Sequence, residues 1–169
     1  AHALAVRGLT RVAVVDFDVH HGNGTQQIFE DRADVLVCNL HERPLYPGTG
    51  EVGEVGWKAG TGFTVNVPLP AGCGGGDSLA AMEQVIEPIV RAYRPELLLV
   101  SAGYDGHRDD RIAHMQLLAA DYGHIAARIC ALADELCGGR AVFVLEGGYA
   151  IDALADSVAA TMGALHGFA

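Results

Sequence analysis

Asp16-Phe17-Asp18-Val19-His20-His21 closes an apolar run, and two carboxylates with an imidazole at spacing two form a metal-ligand pattern. Arg11-Val12-Ala13-Val14-Val15 is short, β-branched and without polar alternation, so it reads as a strand buried on both faces. Side chains alternate across a strand, so an extended continuation sends Asp16, Asp18 and His20 to one side. Hard oxygen donors with a borderline nitrogen suit zinc or a similar divalent ion. The competing reading is a loop whose acids cap the next helix. One Asp would fit that; three ionisable groups straight after a buried strand favour metal.

Two further strand ends carry reactive groups. Leu97-Leu98-Leu99-Val100-Ser101 leads to Gly103-Tyr104-Asp105, and Ala141-Val142-Phe143-Val144-Leu145 leads to Glu146-Gly147-Gly148-Tyr149. Ligands of open parallel sheets gather at the carboxyl ends of strands, near a switch in strand order. Asp105 can complete a set with Asp18 and His20 that leaves coordination open, as a catalytic ion requires. Tyr149 then offers a neutral hydroxyl donor to an oxygen on the metal. Gly147 and Gly148 fit a tight turn that admits substrate close to the backbone. Singly, Asp105 could cap a helix and Tyr149 could be a packed aromatic; the three ends together favour one site.

DFDVHHGNGTQ (16–26), PGTG (47–50), NVPLP (66–70), SAGYDGHRDD (101–110) and LEGGY (145–149) occur in that order. With these five motifs the chain, from about Leu9 onward, resembles the zinc-dependent deacetylases of the arginase–deacetylase fold. The similarity is to class II histone deacetylases and bacterial acetylpolyamine amidohydrolases, with Asn23 in HHGNG as the class II form. The resemblance implies zinc ligands Asp18, His20 and Asp105, with Fe2+ or Co2+ as other possible ions. It implies Tyr149 as the hydroxyl that polarises the acetyl carbonyl, and Asp16 as the acid that orients a catalytic histidine.

The same resemblance implies two potassium sites. One would use Asp16, Asp18, His20 and Leu40 oxygens, with Asn39 where the family often has Ser. The other would use carbonyls of Phe29, Arg32, Val35 and Phe63. Tyr46 and Ile112 match walls of an acyl-lysine tunnel, and Gly148 its floor. The family's general base is a tandem His pair upstream of the metal-binding strand. Here His20-His21 is the only tandem pair, so the chain is expected to correspond to the later part of a deacetylase domain. His41, His107, His114, His124 and His166 read as loop or surface histidines.

Alternating segments give an α/β domain, a parallel sheet with helices on both faces. Expected strands lie at 11–15, 35–38, 63–67, 97–101 and 141–145. Expected helices begin near Gly22 and at Asp77, and cover 122–136 and 151–166; Pro88 should kink the second. The 169 residues are 50% hydrophobic and 19% charged, enough chain for one core. A formal charge of −10 argues against nucleic acid or an anionic membrane as partner and fits cationic substrates such as acetyl-lysine tails or acetylpolyamines. Cys38, Cys73, Cys130 and Cys137 form no CxxC pair, and no membrane span or secretion signal is read, so a cytoplasmic, reduced protein is expected.

Three functions follow. The first is metal-dependent deacetylation of an acetyl-lysine or acetylpolyamine amide. The second is a non-catalytic metal-binding or assembly fragment of the same fold. The third, distant, is an arginase-like ureohydrolase, for which the further Asp-x-Asp pairs of a two-metal site are wanting. A bare sheet edge is also expected, with self-association or a complementary segment to cover it.

Overall fold

Parallel strands cannot be joined by tight turns, so each connection in this sheet must leave it and cross back. The computed structural model describes residues 1–167. Its sheet contains β1 (Val12–Asp16), β2 (Val35–Glu42), β3 (Thr64–Leu69), β4 (Leu98–Ala102) and β5 (Ala141–Leu145), in the spatial order β3-β2-β1-β4-β5. Every pairing is parallel, and Asp16 at the end of β1 is in register with Asn39 of β2 and Ser101 of β4.

Helices cover both faces of β1 and β2. On one, Val14, Val35 and Val37 pack with Leu4 of α1 (His2–Arg7) and Phe29 of α2 (Asn23–Phe29). On the other, Val15, Leu36 and Val100 join Met82, Ile86 and Ile129. Met82 and Ile86 belong to a π turn (Met82–Ile86) that joins α3 (Gly75–Ala81) to α4 (Glu87–Tyr93), and Ile129 belongs to α5 (Ala119–Cys137). α6 (Ile151–Gly167) packs along α5. Ile129 is fully buried, and its truncation to Ala should destabilise by about 2–5 kcal/mol.

Local chemistry accounts for the element ends. Asp77 does not start α3 but sits in its first turn, where its carboxylate accepts from Gly74 N at 2.9 Å. Asp121 does the same for Leu118 N at 2.8 Å, and α5 stops at Gly138 with φ 59°. Pro88 produces no break. The helical path continues across it, and the π turn just upstream sits where the proline's missing N–H and ring disturb the helix. β2 runs four residues past the expected Cys38, because Asn39, His41 and Glu42 are polar yet buried. No helix among the described residues is long and apolar enough to cross a membrane.

Candidate metal centre

Strand order reverses at β1: the chain proceeds outward through β2 and β3, then resumes on the other side with β4 and β5. The loops leaving β1, β4 and β5 therefore meet at the switch point. They bring Asp18, His20 and Asp105 together, each offering a ligand atom within 4.8 Å of the others. His20 Nδ1 lies 3.1 Å from Asp18 Oδ1 and 3.1 Å from Asp105 Oδ2. Asp105 is fully buried; Oδ1 accepts from Val19 N at 3.1 Å, while Oδ2 has no hydrogen-bond partner despite its approach to the imidazole. A buried, unpartnered carboxylate oxygen facing a second carboxylate is unfavourable without a cation between them.

Electrostatics point the same way. Burial, then the Asp18 charge, pushes Asp105 up to about 6, and the same causes push Asp16 up to about 8. A bound divalent ion would reverse that penalty. Two glycines make room for the cradle. A Cβ at Gly103 would collide with the Asp18 carboxylate, and one at Gly147 with that of Asp105. The chemistry of the donor set and the unpartnered Oδ2 thus fit a divalent ion with open coordination.

The remaining expected residues distribute around this centre. Tyr149 is 62% exposed and lines the same open cleft, of about 510 Å³, as Asp16, Asp18 and Asp105. Gly148, before it, has φ +137°, a conformation open to glycine. Tyr46 is 79% exposed, with its ring centroid 6.4 Å from that of His20. Ile112 lies beside Tyr149 in an adjoining cleft. Asp16 accepts from Asp18 N at 3.0 Å, and both polar atoms of the Asn39 side chain are buried without partners; Leu40 follows in β2. Phe29, Arg32, Val35 and Phe63 lie apart, on the α2–β2–β3 side, where Phe29 O accepts from Arg32 N at 3.0 Å and Phe63 O from Val37 N at 2.9 Å.

Sequence reasoning missed a polar network behind His20. His21 places Nδ1 2.8 Å from Thr49 Oγ1 and Nε2 2.8 Å from Gln26 Oε1. Gln26 donates to Glu54 Oε2 at 2.7 Å and accepts from Asn66 Nδ2 at 2.9 Å. Glu54 Oε1 accepts from Gly50 N and Glu51 N, which ties the loop after Tyr46 to the body. His41 is corrected from a loop or surface histidine to a buried strand residue, while His107 lies in the loop after β4, where it is buried. The signal for His41 was position: it falls inside a strand that continues past its apolar run. The histidines lining the cleft are His20 and His21, and His21 has both ring nitrogens engaged. Among the described residues there is no second three-ligand cluster for a two-metal site.

Known proteins resemble this chain over almost its whole length. The profile of the histone deacetylase domain matches residues 1–165. Histone deacetylase 14, chloroplastic, of Arabidopsis thaliana is 44% identical over 166 residues, covering 98% of this chain and 39% of that protein. A probable deacetylase of Archaeoglobus fulgidus is 43% identical over 149 residues, covering 88% and 42%. The crystal structure of the HDA15 HD domain superposes with a TM-score of 0.89 at 39% identity, covering 96% of this chain and 46% of that one. The chain thus spans less than half the length of these relatives, corresponding to the C-terminal part of their deacetylase domain. In fold, in motif order and in sequence, the chain belongs to the histone deacetylase family.

Proposed function

We propose that this chain carries the metal cradle and oxyanion donor of a metal-dependent deacetylase that hydrolyses an acetyl-lysine or acetylpolyamine amide. The convergence of Asp18, His20 and Asp105 on one point carries the reading. A divalent ion held there, zinc before Fe2+ or Co2+, would polarise the acetyl carbonyl and bring the pKa of a water from about 15.7 toward about 7. Asp18 and Asp105 supply charge and His20 the neutral nitrogen. Tyr149 donates its hydroxyl to the carbonyl oxygen as negative charge develops there. Burial, then Asp105 and Asp18, raises the Tyr149 phenol, which keeps that proton in place at neutral pH. Tyr46 and Ile112 flank the entering acyl chain, and Gly148 lets it approach the backbone.

Potassium belongs to the same reading. The unpartnered Asn39 amide beside Asp16 supports a first site with Asp16, Asp18, His20 and Leu40. The carbonyls of Phe29, Arg32, Val35 and Phe63 would form the second. A cytoplasmic location also belongs to it, supported by four cysteines that are all free.

One observation favours the alternative of a non-catalytic metal-binding or assembly fragment. His20 is committed to the ligand set and His21 to Thr49 and Gln26, which leaves no histidine in the cleft to take a proton from water. Loss of a general base typically lowers rate about 100- to 10,000-fold. The open edge of β5 is where we place a complementary segment that completes the site. Acetate release from an acetyl-lysine peptide and an acetylpolyamine by the zinc-loaded chain, with Tyr149→Phe alongside, decides between them. Turnover that collapses in the variant supports the enzyme. Absent turnover, with one zinc bound and lost in Asp18→Ala, supports the fragment.

A further inference from the structure

Tyr149 carries the chemistry of the β5 loop, yet its side chain is held by little. Its ring is mostly exposed, and it follows a glycine whose φ lies outside the range of most side chains. Its placement must come from its backbone. On the amino side, Gly147 N donates to Asp18 Oδ2 at 3.0 Å and Gly147 O accepts from Tyr104 N at 2.8 Å. On the carboxyl side one residue does the holding. Asp110 Oδ2 accepts from Tyr149 N at 2.6 Å and from Ala150 N at 3.1 Å, while Oδ1 accepts from Ile112 N at 3.2 Å. Asp110 is buried and belongs to the β4 loop that also delivers Asp105.

We infer that Asp110 is the positioning residue for Tyr149. Its carboxylate clamps the backbone of Tyr149 to the loop that carries Asp105, so the two residues leave from loops that are tied together. It also lies at the amino end of α6, where a carboxylate is favoured by the exposed N–H groups. Ile112, a wall of the adjoining cleft, is held by the same carboxylate. Asp110 touches no reacting atom; it acts through Tyr149.

The test uses the zinc-loaded chain labelled with 3-fluorotyrosine. The sequence has five tyrosines, and the Tyr149 fluorine signal is the one absent in Tyr149→Phe. In the native protein this signal is displaced from its free-peptide position, and the amides of Tyr149 and Ala150 exchange slowly. In Asp110→Ala the signal moves to the free-peptide position and both amides exchange at peptide rates, while zinc stoichiometry and the other four signals hold. Asp110→Asn, whose side-chain oxygen can still accept from both amides, restores them and loses protection at Ile112 alone. A native-like Tyr149 signal in Asp110→Ala, or a free-peptide signal in the native protein, overturns the inference. Should Asp110→Ala fail to fold, Asp110→Asn decides, and equal loss at Ile112, Tyr149 and Ala150 counts against it. The kinetic arm rests on the deacetylase reading: kcat falls about 100-fold in Asp110→Ala with KM unchanged. Asp110→Ala adds nothing further in a Tyr149→Phe background. Absence of turnover in the native chain would count against the deacetylase reading, while the fluorine and exchange arms still decide the role of Asp110.

Discussion

The N–H of Gly147 donates to Asp18 Oδ2 at 3.0 Å, joining the loop after β5 to the loop after β1 on a single carboxylate. The same carboxylate accepts from His20 N at 2.8 Å through Oδ1, so both oxygens are oriented before any ion binds. Groups that orient metal ligands typically change affinity 10- to 100-fold when lost. Gly147→Ala should do at least this, because its Cβ would occupy the space of the Asp105 carboxylate. A competition titration against a chromophoric zinc chelator measures it. Native affinity in Gly147→Ala would mean the β5 loop does not brace the cradle.

Metal should stabilise the fold, because the cradle exists only in the folded chain. At zinc about 100-fold above its Kd the gain is about 2.7 kcal/mol. For a domain of this size that corresponds to a rise in Tm of roughly 5–10 °C. Asp105→Asn removes a ligand charge while its amide oxygen can still accept from Val19 N. It should abolish the zinc-dependent rise and leave the metal-free protein at least as stable as the native one, since a strained buried acid is gone. Scanning calorimetry with zinc and with a chelator reads both effects.

His41 makes stability depend on pH. Gly50 O can only accept, so His41 Nε2, 3.1 Å away, carries the proton, and buried Nδ1 is bare. Burial, then the neighbouring His21, lowers its pKa from 6.5 to about 4. Between those values the unfolded chain binds the extra proton and the folded chain does not. Stability is therefore full above about pH 6.5 and is lost as pH falls toward about 4, by roughly 3 kcal/mol in all. His41→Gln keeps a donor near Gly50 O and does not titrate. The difference in urea midpoint between the two proteins should shrink or reverse from pH 7 to pH 4.5; a constant difference would remove His41 as the cause.

Strands were legible where they are apolar, and their ends were not legible where the site begins. β5 matches its run residue for residue, and β1 and β4 are shifted by one. β2 was cut short at Cys38, because Asn39, His41 and Glu42 carry a polar signature although they lie inside the sheet. The Asp18–His20–Asp105 cluster was readable because each member lies within five residues of the end of an apolar run. Asp110 was not. It is one acid in a polar loop, and its three bonds go to backbone N–H groups, one of them at Ile112 and two from another strand's loop. Glu54 escaped for the same reason, since backbone acceptance leaves no pattern in residue types.

The free edge of β5 sets the last prediction. β5 pairs with β4 on one side, and among the described residues nothing pairs with its other side. Val142, Val144 and Leu145 are 49%, 50% and 60% exposed, which is unusual in a parallel sheet, where both faces are normally covered. Unpaired strand N–H and C=O groups beside apolar side chains invite another strand. At micromolar concentration the chain alone should therefore elute larger than a 17.7 kDa monomer. Val144→Lys places a charge on the exposed face and should shift the chain toward monomer without changing zinc stoichiometry, because no ligand lies on β5. Multi-angle light scattering on both proteins measures the mass directly. A native chain that is monomeric at all concentrations would show that the edge is tolerated in water and that completion of the site does not begin there.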